Sequence, residues 1–430
     1  MMSTLEPSYD VQPLIVPADA ACTISVRPHS AESRFEPTAR YEALHYPCEQ
    51  LGPLPTCPPA ALQFEGGRLL IRAHFPDEQE HVLLLRVMKE GKPENVKAFR
   101  VYSLREDLFG RRPFKGDFHI HSNCSDGREP PAHVAAACRR IGMDFVAVTD
   151  HGRYAPSLEA IRAFGGMEMD FRIFPGEEVH PPRNPVHMIN FGGRFSINDL
   201  FADEAAYLSG VAEVERTLGD LPIEGDRYPF ASSVWCFNKI REAGGLGIFC
   251  HPYWFVGHRY EPSGPLTSLL FSRRPFDAFE LIGGYRKFEL ESNTLQAARY
   301  HEERLRGGPM PVVGVSDAHG CNPDDLFGWY YTIVFSPSTE LADLIESVKG
   351  GYSVAVEAPP GELARPHGPF RLVKFARFLQ REFFPGHDAL CVEEGDRLLA
   401  HANGDATAAA AMPRLRARSR AWNEGVWARP

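Results

Sequence analysis

The sequence predicts an α/β protein in which a β-rich start precedes a parallel sheet or barrel, and three observations carry that expectation. Before about residue 112 the apolar runs are strand-like and broken by Gly and Pro clusters. From there on, short apolar runs alternate with helical stretches, the layout of strand–helix–strand units. Finally, residues of metal-ligand type recur where those runs end.

Taken in order, residues 23–27, 69–74, 81–88 and 96–102 read as strands, with Glu65-Gly66-Gly67-Arg68 as a hairpin turn. Residues 1–111 are therefore expected to form a small β-rich, sandwich-like N-terminal domain. The next strands are expected over 116–121, 145–149, 172–179, 186–191, 246–250, 278–282 and 312–316. Helices are expected over 131–141, which opens on Pro131, over 233–243, which stops at Gly244-Gly245, and over 289–305, which stops at Gly307-Gly308. A further strand over 329–335 and a helix over 339–349 complete a domain spanning 112–350. Residues 351–430 read as a partly helical C-terminal extension, with a helix near 370–384 and a flexible tail from about 400.

Composition narrows the class. At 43% hydrophobic and 24% charged residues in a chain of 430, the protein is globular in type. A net charge of −10 gives no excess of cations with which to neutralise a nucleic-acid backbone, so nucleic acid is not the expected partner. The first residues lack a basic segment followed by an apolar one, and no apolar run approaches the roughly 20 residues of a membrane span, so a cytoplasmic protein is expected. The nine cysteines include no CxxC pair, which argues against a cysteine zinc site. Cys124, Cys250 and Cys321 do lie beside the candidate ligands.

The chemistry starts at Asp117-Phe118-His119-Ile120-His121-Ser122-Asn123-Cys124-Ser125-Asp126-Gly127. Residues two apart on extended chain face the same way, so His119 and His121 aim both imidazoles at one point, and Asp126 can return from the loop as an oxygen ligand. The same event recurs at Thr149-Asp150-His151, Glu177-Glu178-Val179-His180, Cys250-His251-Pro252 and Ser316-Asp317-Ala318-His319, while His187 lies within the fourth run. The carboxyl ends of parallel strands share one face, so these groups have a common destination. Glu177 and Glu178 face opposite ways on a strand, so one of them is a ligand; His180 is the rival of His187.

Over residues 112–336, about half the chain, this order of motifs resembles the polymerase and histidinol phosphatase (PHP) superfamily of metallophosphoesterases. The resemblance implies a distorted (β/α)7 TIM-like barrel and two to three divalent metal ions (Zn, Mn or Fe). His119, His121, Glu178 and Asp317 would hold the first ion. Glu178 would bridge to a second at His187 and His251, and Asp126, His151 and His319 would hold a third. Asp126 stands where some members have histidine. Such ions lower the pKa of bound water, and Asp317 or His319 could assist proton transfer. Arg153, directly after the second strand, and Arg286-Lys287, after the sixth, are cations placed to meet a phosphate. The leading expectation is a phosphoesterase acting on a small phosphate ester. The alternative is a carbamate or carboxyl ester hydrolase, since the β-rich start is similar to the carbaryl-hydrolase-like branch. An exonuclease and a non-catalytic metal-stabilised module rank lower. Substrate choice is expected to come from loops 194–230 and 253–274.

Overall fold

A computed structural model describes residues 9–36, 38–49, 61–89, 92–219, 227–284 and 286–429. The protein is a mixed α/β chain with several sheets, and it divides into two compact units. The first comprises residues 1–111, 374–390 and 417–430; the second comprises 112–373 and 391–416.

In the first unit, Tyr9–Gln12, Ala20–Pro28, Arg68–Phe75 and Ala61–Glu65 pair antiparallel in that order. A second sheet runs Ile15–Pro17, Lys92–Leu104, Glu80–Lys89 and Arg40–Pro47. Glu65 faces Arg68 across a two-residue loop in which Gly66 and Gly67 both have positive φ (+55° and +78°), the backbone that a tight hairpin requires. Alternate residues of both sheets, among them Ile24, Val26, Leu69, Leu83, Leu85 and Val101, are withdrawn from solvent into one cluster.

The second unit holds two larger sheets. One is ordered Arg172–Phe174, Phe145–Ala147, Arg112–Asp117, Tyr330–Ser336, Ser353–Glu357 and Arg365–His367. The other is ordered Gly176–Val179, Met188–Phe191, Leu246–Phe249, Ala278–Ile282 and Val312–Gly314. Hydrogen bonds join the sheets beyond the regular strands: His121 N–H donates to Ala318 O, Asp317 N–H to His119 O, and Gly152 N–H to Glu178 O, at 2.8–3.0 Å. Phe118, Phe145, Phe191, Ile248 and Val313 fill the space these strands enclose.

Three expectations need correction. The strand over 116–121 is Arg112–Asp117, because the buried Asp117 carboxylate takes the N–H groups of His119 and Ser316 and ends the ladder; His119 and His121 stand just past it. The fourth strand, Met188–Phe191, is antiparallel to both neighbours. Its amino end therefore lies beside the carboxyl ends of the others, and His187 precedes the strand. Where a tail is expected from about 400, the helices Phe384–Ala402 and Met412–Val426 stand instead. Arg139 (3% exposed) shows how part of this extension is held: its guanidinium donates to Glu394 at 2.6 and 2.8 Å and to Asp144 at 3.0 Å, pairing a charge that burial alone would make costly. No helix among the described residues is long and apolar enough to cross a membrane.

Candidate metal centre

The strand ends of the second unit bring the nine sequence-chosen side chains together around Glu178, a carboxylate with no solvent exposure. His119 Nε2 and His121 Nε2 are 3.1 Å apart, and Asp317 Oδ1 lies 3.2 and 2.9 Å from them. Glu178 Oε2 is 3.4 and 3.6 Å from the same two nitrogens. Donors held at 2.0–2.2 Å around a tetrahedral ion stand about 3.3–3.6 Å from one another; the Glu178 distances fall in that range, and the other three, at 2.9–3.2 Å, are slightly tighter. On the other side, Glu178 Oε1 faces His187 Nδ1 at 2.9 Å and His251 Nε2 at 3.4 Å. Nearer the surface, Asp126 Oδ2 is 3.2 Å from His319 Nε2 and 3.4 Å from His151 Nε2.

The bonding of these groups tests whether a cation fits. Both Glu178 oxygens, His187 Nδ1 and His251 Nδ1 are buried without a partner in hydrogen-bond geometry, although the closest contacts are short. Leaving a buried carboxylate unsatisfied costs free energy, so this pattern calls for positive charge between the donors. The electrostatics agree. Desolvation pulls the His119 imidazolium down most, yet Asp317, Glu280 and Glu178 together hold its pKa well above the ordinary value. His151 is carried to about 9 by Glu178, Asp126 and Asp317 against its own desolvation. Desolvation raises Asp317, but His119 and His121 hold it well below the carboxylate range. The field is uneven across the cluster: desolvation lowers His121 and carries His187 down to about 4.

Local folding explains the placement. Asp150 accepts from Ser122 N–H and Oγ–H and from Ser125 N–H and Oγ–H at 2.5–3.1 Å, fixing the 122–126 loop. Gly127 lets that loop fold back, since a Cβ there would lie 2.8 Å from the His121 backbone. Asp317 and His251 have left-handed backbone (φ +48° and +24°), which a non-glycine residue rarely adopts and which the surrounding bonds must hold.

The open alternatives also receive an answer in geometry. Glu177 points away, accepting from Asn190, Ser196 and Asn198, whereas Glu178 faces the cluster. Both His187 and His180 reach Glu178; His180 Nε2 is 3.4 Å from Oε2 and 2.8 Å from His151 Nδ1. Arg153 and Arg286 are exposed, and neither they nor Lys287 line the cavity of about 180 Å³ above the cluster. Of the two loops expected to select substrate, 253–274 contributes Trp254 to that cavity, and among the described residues 194–230 contributes none of its lining. Cys250 is buried near His119, while Cys124 and Cys321 are partly buried; all eight described cysteines are free thiols.

Sequence reasoning missed Glu280. Its Oε1 accepts from His119 Nδ1–H at 2.7 Å, which leaves Nε2 facing the other donors, and its Oε2 accepts the His251 N–H at 2.8 Å. The available signal was a glutamate inside the otherwise apolar strand Ala-Phe-Glu-Leu-Ile.

Among proteins of known sequence, the chain is 35% identical over 120 residues to the DNA polymerase/3′-5′ exonuclease PolX of Bacillus subtilis. That match covers 24% of this chain, which spans about a fifth (21%) of the length of the curated relative. Among solved structures it is similar to a two-domain protein of Bacteroides vulgatus containing a predicted PHP-like metal-dependent phosphoesterase, with 16% identity and a TM-score of 0.40 over 57% of this chain and 65% of that one. A Bifidobacterium adolescentis protein assigned by prediction as a metal-dependent phosphoesterase is also similar, with 23% identity and a TM-score of 0.33 over 49% of this chain and 89% of that one. No protein-family profile matches the chain. The ligand types of the second unit, imidazole mixed with carboxylate, suit divalent ions.

Proposed function

We propose that this protein is a metal-dependent hydrolase of the PHP superfamily that cleaves a small phosphate monoester. The observation that carries the reading is Glu178: a carboxylate with no exposure, both oxygens outside hydrogen-bond geometry, ringed by imidazoles and flanked by Asp317. The nine residues His119, His121, Asp126, His151, Glu178, His187, His251, Asp317 and His319 would hold two to three divalent ions, with Glu178 shared between two of them. In support of the barrel expected from the motifs, the bonds at 119–121 with 317–318 and at 152 with 178 tie the chain just beyond two interior strands of the six-stranded sheet to the two edge strands of the other. The two sheets of the first unit, sharing one apolar cluster, support a sandwich-like module.

Bound ions would supply a water acidic enough to react near neutral pH and would neutralise the phosphoryl oxygens. In the overall step the water oxygen bonds to phosphorus, the bond from phosphorus to the ester oxygen breaks, and the released alkoxide gains a proton. His319 and Asp317 line the cavity and are the groups assigned to move that proton. Glu280 holds the His119 ring by its Nδ1–H and so keeps Nε2 turned inward. The cavity, smaller than the roughly 300 Å³ at which drug-sized pockets begin, favours a small substrate.

Metal analysis of the full chain should find two to three ions, and p-nitrophenyl phosphate should be turned over faster than a phosphodiester or 1-naphthyl acetate. Fewer than one ion per chain sinks the cluster; preference for the acetate or a carbamate moves the reaction to carbon. The PolX relative makes a nuclease the second reading, and release of nucleotides from a labelled single strand at a rate exceeding the monoester would establish it.

A further inference from the structure

One imidazole beside the nine candidate ligands has no part in the proposed reaction. His180, two residues past Glu178, stands with its Nε2 2.8 Å from His151 Nδ1 in hydrogen-bond geometry. The same His151 nitrogen is nearer still to Glu178 Oε2, at 2.6 Å, yet that oxygen has no partner in hydrogen-bond geometry. One hydrogen decides the arrangement. A bare Nδ1 would turn its lone pair on a fully buried carboxylate oxygen at 2.6 Å, which is repulsive, so His151 Nδ1 carries the hydrogen and His180 Nε2 accepts it. A neutral imidazole protonated at Nδ1 has its lone pair at Nε2. In His151 that atom faces Asp126 Oδ2 at 3.4 Å, and the same oxygen is 3.2 Å from His319 Nε2.

His180 is itself held from two sides. Its backbone N–H donates to Asn198 Oδ1 at 3.0 Å. The Asn198 amide gives hydrogens to the same stretch of chain, donating to Glu177 Oε2 at 2.8 Å and to Glu178 O at 3.0 Å. Glu177 is fully buried and also accepts from Asn190, Ser196 and the Ile197 N–H, so the anchor is a carboxylate taken up by hydrogen-bond donors. Against the His180 ring lies that of His187, with centroids 3.9 Å apart and planes inclined by 33°.

We infer that His180 is a positioning residue: it accepts the His151 Nδ1–H, which keeps Nε2 turned toward Asp126 and His319 as a metal donor and leaves Glu178 Oε2 to the metals rather than to a hydrogen bond. The inference rests on the metal-centre reading above. Without His180, Glu178 Oε2 is the acceptor at hand for that hydrogen, so a donor of one ion and the carboxylate shared by the others are disturbed together.

The test uses the full chain loaded with zinc and a chelator competition, which reads metal affinity without any substrate. His180→Phe keeps a ring against His187 and removes the acceptor; it should weaken zinc binding by about 10–100-fold. His180→Gln, whose amide oxygen accepts, should recover most of that loss. In wild-type protein with nitrogen-15-labelled histidines, NMR should find His151 protonated at Nδ1 and coupled through the hydrogen bond to His180 Nε2, the signals being assigned with His151→Gln and His180→Gln. Unchanged affinity in His180→Phe overturns the inference. So does a His180→Gln as weak as His180→Phe, which would make His180 a ligand, or a His151 protonated at Nε2. If His180→Phe does not fold, His180→Gln and the wild-type spectrum decide. A wild type holding less than one ion overturns the inference together with the cluster. If no phosphate ester turns over while the affinity pattern holds, the proposed reaction falls and the positioning role stands.

Discussion

The two units each bury a chain of histidines, and the contrast between them separates structure from chemistry. In the first, the order of hydrogens can be read off. Ser103 Oγ–H donates to Asp77 O at 2.5 Å, so Ser103 accepts from His81 Nε2–H at 2.7 Å, and His81 Nδ1 in turn accepts from His45 Nε2–H at 3.0 Å. Every link is satisfied, and burial holds the rings neutral, with His81 depressed to about 3 and His45 to about 4. In the second, carboxylates sit among the rings, both Glu178 oxygens, His187 Nδ1 and His251 Nδ1 lack a partner in hydrogen-bond geometry, and neighbouring carboxylates raise His119 and His151 against their desolvation. A buried histidine is thus uninformative by itself. What distinguishes the second cluster is the buried carboxylate among its rings, whose two oxygens have no partner in hydrogen-bond geometry.

The largest effect expected from this contrast is on catalysis. His119→Ala and Asp317→Ala should each lower kcat by at least about a hundredfold while circular dichroism stays native, because each removes a donor from the quartet. Full turnover in either would place the reaction elsewhere. Next, Glu280→Gln frees the His119 ring to turn or change tautomer. Metal affinity, measured by competition with a chelator, should fall about 10–100-fold, and lost metal should restore partial activity when added in excess. The mirror experiment is His81→Leu, which orphans His45 and Ser103. It should cost about 1–3 kcal/mol in denaturant unfolding of the first unit and leave metal content unchanged. If metal content falls with it, the two clusters are not independent.

The smallest effect is in pH. The folded pKa values of His45 and His81 lie below the ordinary 6.5, so the unfolded chain binds more protons between that value and about 3–4. Their contribution is complete above pH 6.5 and is lost as pH falls through that window, which His81→Leu should flatten. Metal affinity should also weaken on acidification, because protons compete for the same nitrogens. The two are told apart by following urea unfolding of the first unit in apo and metal-loaded protein.

Much of the site was legible because ligand chemistry and strand-end position coincide in the sequence: His119, His121, His151, His251, Asp317 and His319 were found that way and meet around Glu178. Hairpin placement at Gly66-Gly67 was equally local, since it depends on two residues able to take positive φ. Other features are set by tertiary partners. Glu280 looks like an odd residue in an apolar strand until His119 is beside it. Asp117 ends its strand only because Ser316, 199 residues away, donates to it. The helix Met412–Val426 was read as a tail because its Ala- and Arg-rich stretch shows no strong apolar stripe; Leu415, Val426 and the following Trp427 are nevertheless buried.

The reversed strand Met188–Phe191 has a consequence for how this chain can vary. His187 sits at its start, and the next strand, Leu246–Phe249, comes back toward the site and delivers His251 just beyond its end. Residues 192–245 therefore depart from and rejoin the strands at the ends opposite those two histidines. That excursion, with its helices Glu204–Thr217 and Tyr228–Glu242, touches the cluster near its start, where Asn198 donates to Glu178 O and, with Ser196, to the Glu177 carboxylate. Past Asn198 its length can vary with less consequence for the cluster, whereas a single residue inserted between Glu178 and His187, or between Leu246 and His251, would throw a donor off its neighbour.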